Sequence, residues 1–166
     1  MDYYQGIVTE YLRANRATFV NTEFCLQLAE GNVDQTGKHW YVDALAVELR
    51  EHPEPPEVFL CEITYAKHPT SLIARLGKWQ EHWQAIRSAL KRDAHIPLES
   101  TVRPWLFVPE AYVKTLTPKL SLFAPWDNLP VPRITTLEMT QPWRYRSWNR
   151  EGEEEKPSVI PVEMRK

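Results

Sequence analysis

Two carboxylates stand where a folded chain would ordinarily place core side chains. In "HWYVDALAVELREHPEPPEVFLCEITYAK", residues 39–67, Asp43 and Glu62 each interrupt an apolar run rich in β-branched and aromatic residues. Both runs read as strands. The joint between them, "REHPEPP", cannot be a central strand itself, because proline has no backbone donor. An antiparallel hairpin about that joint sets Asp43 opposite Glu62, or nearly so, with Cβ atoms about 5 Å apart. A bulge in the joint would slip the pairing by one residue and turn one acid to the other face. Like charges so placed repel and lose solvation, which costs stability or forces one carboxyl to keep its proton. A shared divalent cation removes that penalty, and paired hard oxygen ligands suit Mg²⁺. Either acid alone also reads as an ordinary exposed edge residue; two on facing positions weaken that reading.

The elements that must position this pair follow from periodicity. Asp2 to Arg16 carries Tyr4, Ile7, Val8, Tyr11 and Leu12 at helical spacing, and Thr18 to Leu28 reads as a first strand. The second strand runs from His39 to Leu49, with Tyr41, Asp43, Leu45, Val47 and Leu49 on one face. The third runs from Glu57 to Tyr65, with Val58, Leu60, Glu62 and Thr64 together. Leu72, Leu76, Trp79, Trp83, Ile86 and Leu90 then alternate steps of four and three, the stripe of one long amphipathic helix. Arg75, Lys78 and His82 form a basic stripe beside it. A fourth strand from Thr101 to Val108, a short helix from Glu110 to Leu116 and an edge strand from Ile134 to Met139 complete the pattern. The order α-β-β-β-α-β predicts a mixed α+β domain, a central sheet with helices against it. Residues 1–141 read as that single domain. Residues 142–166 read as an aromatic and basic extension ending in a mobile tail.

This order, with Asp43 in "YVDALAV" and Glu62 in "FLCEITYAK", resembles the PD-(D/E)XK nuclease superfamily over about residues 2–108. The resemblance implies a restriction-endonuclease-like fold and Mg²⁺- or Mn²⁺-dependent hydrolysis of phosphodiester bonds, DNA being the favoured substrate. Asp43 and Glu62 would hold the metal, with the Ile63 carbonyl as third ligand. Glu10 matches the auxiliary acid that many members carry on the first helix, and Glu23 is a rival for that role. The departure is Thr64, which stands where the family has its lysine. Lys67, just past the strand, or Lys78, on the second helix, would replace it. Arg75, Lys78 and His82 would then face the phosphodiester. If the oxygens of the two acids point to opposite sides, or an arginine holds one of them, the hydrolytic reading loses its site and only the architecture survives. The same fold without catalysis, a binding or assembly subunit, is the alternative.

The remaining features bound the function further. "QPWRYRSWNR" interleaves Trp143, Tyr145 and Trp148 with Arg144, Arg146 and Arg150, the composition of a nucleic-acid-binding segment, or of aromatic rings covering a sheet edge. That aromatic surface would equally serve a protein partner. A net charge of −2 excludes a polycation, so nucleic acid would be held through local groups. No apolar run is long enough to span a bilayer, and "MDYYQG" lacks a signal-peptide layout. Cys25 and Cys61 sit in strand-like runs without metal spacing, as small core residues of a reduced, cytoplasmic protein. No membrane contact is expected, and a homodimer is compatible with the reading. With five glycines and no Gly-rich loop or nucleophile elbow, nucleotide-hydrolysing and serine-hydrolase chemistry lack support.

Overall fold

A computed structural model describes residues 2–28, 39–51, 53–65, 70–121 and 129–141, with the backbone of 162–163. The first helix, α1 (Tyr3–Arg13), begins at a reciprocal cap. The Asp2 carboxylate accepts the Gln5 backbone N–H, and the Gln5 side-chain oxygen accepts that of Asp2. Three strands follow as an antiparallel meander: β1 (Thr18–Gln27), β2 (His39–Glu48) and β3 (Glu57–Ile63). Two helices, α2 (Thr70–Glu81) and α3 (Trp83–Ala94), then cross to β4 (Thr101–Val108), which runs parallel to β3. A fourth helix, α4 (Glu110–Ser121), leads to β5 (Arg133–Thr136), parallel to β4, and a 3-10 turn covers Leu137–Thr140. A two-residue β6 (Val162–Glu163) pairs with β5. The six strands lie in chain order in one mixed sheet. The expected fold class is borne out: a mixed α+β sheet flanked by helices.

Each face of the sheet has its own core. Leu45, Val58, Leu60, Val102 and Leu106 pack under Leu72, Leu76, Trp79, Trp83, Ile86 and Leu90 of α2 and α3, with Leu116 and Leu120 of α4. Ala44, Ala46, Phe59, Cys61, Trp105 and Phe107 pack under Val8 and Leu12 of α1. This is why β3 and β4 read as nearly continuous apolar runs: both their faces are covered.

Four expectations differ from the structure. The long second helix is two helices joined at His82, across which the backbone bonds continue (His82 N–H to the Lys78 carbonyl, Ile86 N–H to that of His82). The apolar stripe stays on one face through the joint, so periodicity cannot show it. The helix α4 passes through Pro118 instead of stopping at Leu116, held by the burial of Leu120 one turn further on. The last strand is shorter than expected and, with β6 beside it, is not the edge.

The fourth difference shapes the site. Val42 packs into the core under α2 and α3, yet Ala44, two residues on, packs under α1. On β1, Phe24 and Leu26 likewise pack on the first side and Val20 on the second. Both strands invert their faces at the level of Glu23 and Asp43, where the otherwise continuous register lacks a pair. Glu23 carries the change in a left-handed conformation, φ 54°. Tyr41 is therefore exposed and does not share a face with Leu45.

Candidate functional site

The β2–β3 register is the expected one. It pairs Ala44 with Cys61, and one further step would pair Asp43 with Glu62. The ladder opens at that step. The Asp43 side chain enters the gap and accepts the Ile63 backbone N–H on Oδ2 at 2.7 Å. Its other oxygen, Oδ1, accepts Nε2 of Gln5 at 2.9 Å. Since the Gln5 oxygen caps α1, both ends of that amide are used and the helix start is keyed to Asp43. An extended residue directs its N–H and C=O to the same side, so the Ile63 carbonyl also faces the opened gap.

Glu62 is 4 % exposed and sits on the α2 side of β3. Arg75 of α2 donates through Nη1 to Glu62 Oε2, while Oε1 is buried with no hydrogen-bond partner among the described residues. Burial, reinforced by the charge of Asp43, pushes the Glu62 carboxyl up to about 8 against the opposing pull of Arg75. One guanidinium thus undercompensates two acids.

That shift carries a pH signature. The folded carboxyl titrates near 8 and the unfolded one near its ordinary 4.5, so the folded state holds the proton more tightly. Its contribution to stability is full below the unfolded value and is lost as pH rises through the folded one. In urea unfolding, Glu62→Gln should gain on the parent by a few kcal/mol, to order of magnitude, between about pH 5 and about pH 8.5. A pH-independent difference, or one of opposite sign, contradicts the burial of a strained acid.

The basic stripe on α2 does not act together. Arg75 reaches Glu62; Lys78 is exposed; His82 lies at the α2–α3 joint, its ring 5.3 Å from that of Trp40 and its Nε2 3.7 Å from Glu81. Arg75 was expected to face a phosphodiester and is found on an acid instead, which meets the condition set above for the hydrolytic reading to lose its site. The two acids also turn to different helices, Glu62 to α2 through Arg75 and Asp43 to α1 through Gln5. Thr64 takes a plain structural place, its N–H donating to the Phe107 carbonyl. Glu10 is exposed and lies 3.7 Å from Arg13 on its own helix. Five residues past Gln5, it points roughly 140° away from the side that meets Asp43. Among the described residues no three His, Cys, Asp or Glu side chains converge as a metal cluster, so Glu10 does not join the pair. Glu23 is exposed at the inversion. Lys67, Arg144 and Arg146 lie outside the described residues.

Sequence reasoning missed two residues. Gln5 was passed over because an acid was sought on α1; Asp2 and Gln5 at cap spacing was the available signal. Glu57, at the other end of β3, is buried among Arg50, Arg103 and Arg133. The Arg133 guanidinium also lies over the Phe59 and Trp105 rings, at 4.4 and 4.8 Å. Burial pushes the Cys61 thiol up, as expected of an inert core cysteine.

No family model matches this chain, and no curated protein matches it. Among solved structures, it is similar to the crystal structure of an XisH family protein from Nostoc punctiforme PCC 73102. The two are 17% identical, with a TM-score of 0.47, covering 84% of this chain and 94% of that one. No helix among the described residues is long and apolar enough to cross a membrane.

Proposed function

We propose that this chain is a Mg²⁺-dependent nuclease-like protein that hydrolyses phosphodiester bonds in nucleic acid, DNA foremost, with Asp43 and Glu62 as its metal-holding acids and Arg75 as its cation. The observation that carries this reading is the state of Glu62: buried, held by Arg75 through one oxygen, its other oxygen without a partner among the described residues, and repelled by the charge of Asp43. Among the described residues two acids meet one guanidinium, which leaves a deficit of positive charge when both acids are ionised. A hard divalent cation meets it through Glu62 Oε1, Asp43 and the Ile63 carbonyl, and Mn²⁺ would serve likewise. When bound, such an ion lowers the pKa of a water and clamps phosphate oxygens. Asp43 is held in orientation by the Ile63 N–H and Gln5. With a cation on Glu62, Arg75 would be released from that carboxylate to offset charge on the phosphate oxygens, the part that Thr64 cannot take.

Incubation with single- and double-stranded DNA and with RNA, with Mg²⁺ present, tests this. Arg75→Ala should slow cleavage about 10²- to 10³-fold, as for loss of one transition-state donor. Arg75→Lys should recover part of it, and Lys78→Ala should cost a few-fold at most. Equal rates in the parent and Arg75→Ala would remove Arg75 from the chemistry.

The second reading keeps the fold and drops catalysis, leaving a binding or assembly subunit. It is favoured by the same ion pair seen from the other side: Arg75 already sits on Glu62, both Asp43 oxygens are engaged, and Thr64 stands at the lysine position. Absence of metal-dependent cleavage on every substrate would select it.

A further inference from the structure

Four exposed aromatic side chains occur among the described residues, and three of them, Tyr3, Tyr41 and Tyr65, at 72%, 58% and 56% exposure, stand two residues along the chain from Gln5, Asp43 and Ile63. Their placement follows from the fold. Tyr41 lies two residues before Asp43, and the inversion of β2 turns it out of the core. Tyr65 lies two residues past Ile63. Tyr3 and Tyr4 open α1 beside Gln5, which bonds Asp43. The rings are already arranged: Tyr4 and Tyr65 stack at 5.0 Å with 26° between planes, Tyr3 meets Tyr4 edge-on at 5.4 Å, and His39 meets Tyr41 edge-on at 5.7 Å.

Resting on the nuclease-like reading above, we propose that Tyr41 and Tyr65, with Tyr3 and Tyr4 behind Tyr65, form a stacking platform that takes unpaired bases and delivers a single strand to Asp43 and Glu62. Tyrosine stacks on any base through its ring face and loses little rotamer entropy in doing so, the more so when a neighbouring ring already holds it. A duplex hides its base faces and presents phosphates, which need a dense basic surface. This chain offers a net charge of −2 and a single guanidinium at the acid pair among the described residues. Among the described residues, ring faces and not a basic surface are what the site has to offer a nucleic acid.

The test uses the whole chain with a fluorescein-labelled 12-nucleotide single strand and a duplex of the same length, in EDTA so that nothing is cleaved, read by anisotropy. The single strand should bind at least about tenfold tighter than the duplex, and Tyr41→Ala or Tyr65→Ala should each weaken it about 5- to 100-fold. Tyr65→Phe, which keeps the ring, should bind like the parent. Phe19→Ala, the exposed aromatic elsewhere on β1, should also bind like the parent. Urea midpoints matching the parent establish that the variants are folded. A duplex bound as tightly, alanine variants that bind unchanged, or no binding of either oligonucleotide overturns the platform, the last pointing to a protein as its occupant. Cleavage separates this from the reading it rests on. Duplex cleavage indifferent to Tyr41 and Tyr65 would leave the nuclease standing without the platform. Tyrosine-dependent strand binding without cleavage would leave the platform without the nuclease.

Discussion

Glu62→Gln should reduce Mg²⁺-dependent cleavage by about 10³-fold while leaving the domain folded, the effect of removing several kcal/mol of charge stabilisation at the transition state. The substitution is nearly isosteric. Its amide oxygen can still accept from Arg75, so the contact between β3 and α2 persists while the charge that would hold a cation is gone. Asp43 is a less clean probe. Its two oxygens accept from two donors, Ile63 N–H and Gln5 Nε2, and an asparagine would turn an NH₂ toward one of them. Asp43→Asn should therefore lose cleavage to the same degree and about 1–3 kcal/mol of stability as well, the penalty of a buried donor left unmet. Initial rates on one DNA substrate, alongside urea unfolding of each variant, measure both. Cleavage by Glu62→Gln within about tenfold of the parent would show that the acid is structural.

Glu57→Ala should be the most destabilising of the single changes considered, at about 3 kcal/mol, the loss typical of removing one partner from a buried ion pair. The carboxylate is 6% exposed at the side chain and sits among three guanidiniums. Arg50 is bonded to it, Arg103 Nε lies 3.2 Å away, and Arg133 Nη2 lies 4.0 Å away. Without it, Arg103 and Arg133, themselves mostly buried and both close to the same Glu57 oxygen, repel each other with no carboxylate to offset them. For a chain of this length the melting temperature should fall by roughly 6–12 °C. Glu57→Gln should recover only part of the loss, since the shape returns and the charge does not. A change below about 1 kcal/mol would mean that the arginines are held by their other contacts, and that Glu57 behaves as a surface acid.

Glu57 and Glu62 bracket one strand with contrasting electrostatics, and this contrast was only half legible in the sequence. Glu62 stood out because it interrupts an apolar run. Glu57, read as the first residue of the third strand, directly follows "HPEPP" and was not singled out, while its partners are scattered at positions 50, 103 and 133. The hairpin register was readable because a proline-rich joint fixes where the strands turn back. The inversion at Asp43 was not, because the residue that adopts the left-handed backbone is Glu23, with no glycine or asparagine to mark it. That inversion decides which way Tyr41 points. The basic stripe holds Arg75, Lys78 and His82, of which Arg75 reaches an acid. Which cation reaches the acid depends on how α2 is seated over the end of β3, and three positions of one stripe cannot distinguish Arg75 from Lys78. Gln5 was hidden by looking for charge where the fold uses an amide that caps its helix and braces Asp43 together.

Titration calorimetry of the parent chain with Mn²⁺, repeated on Glu62→Gln, goes straight to whether the opened end of the β2–β3 hairpin is a cation seat. One ion per chain, with the binding heat gone in the variant, is the expected result. A parent that takes up no ion, or a variant that binds as well, would leave Arg75 as the lasting counter-ion of Glu62 and the acids as scaffold.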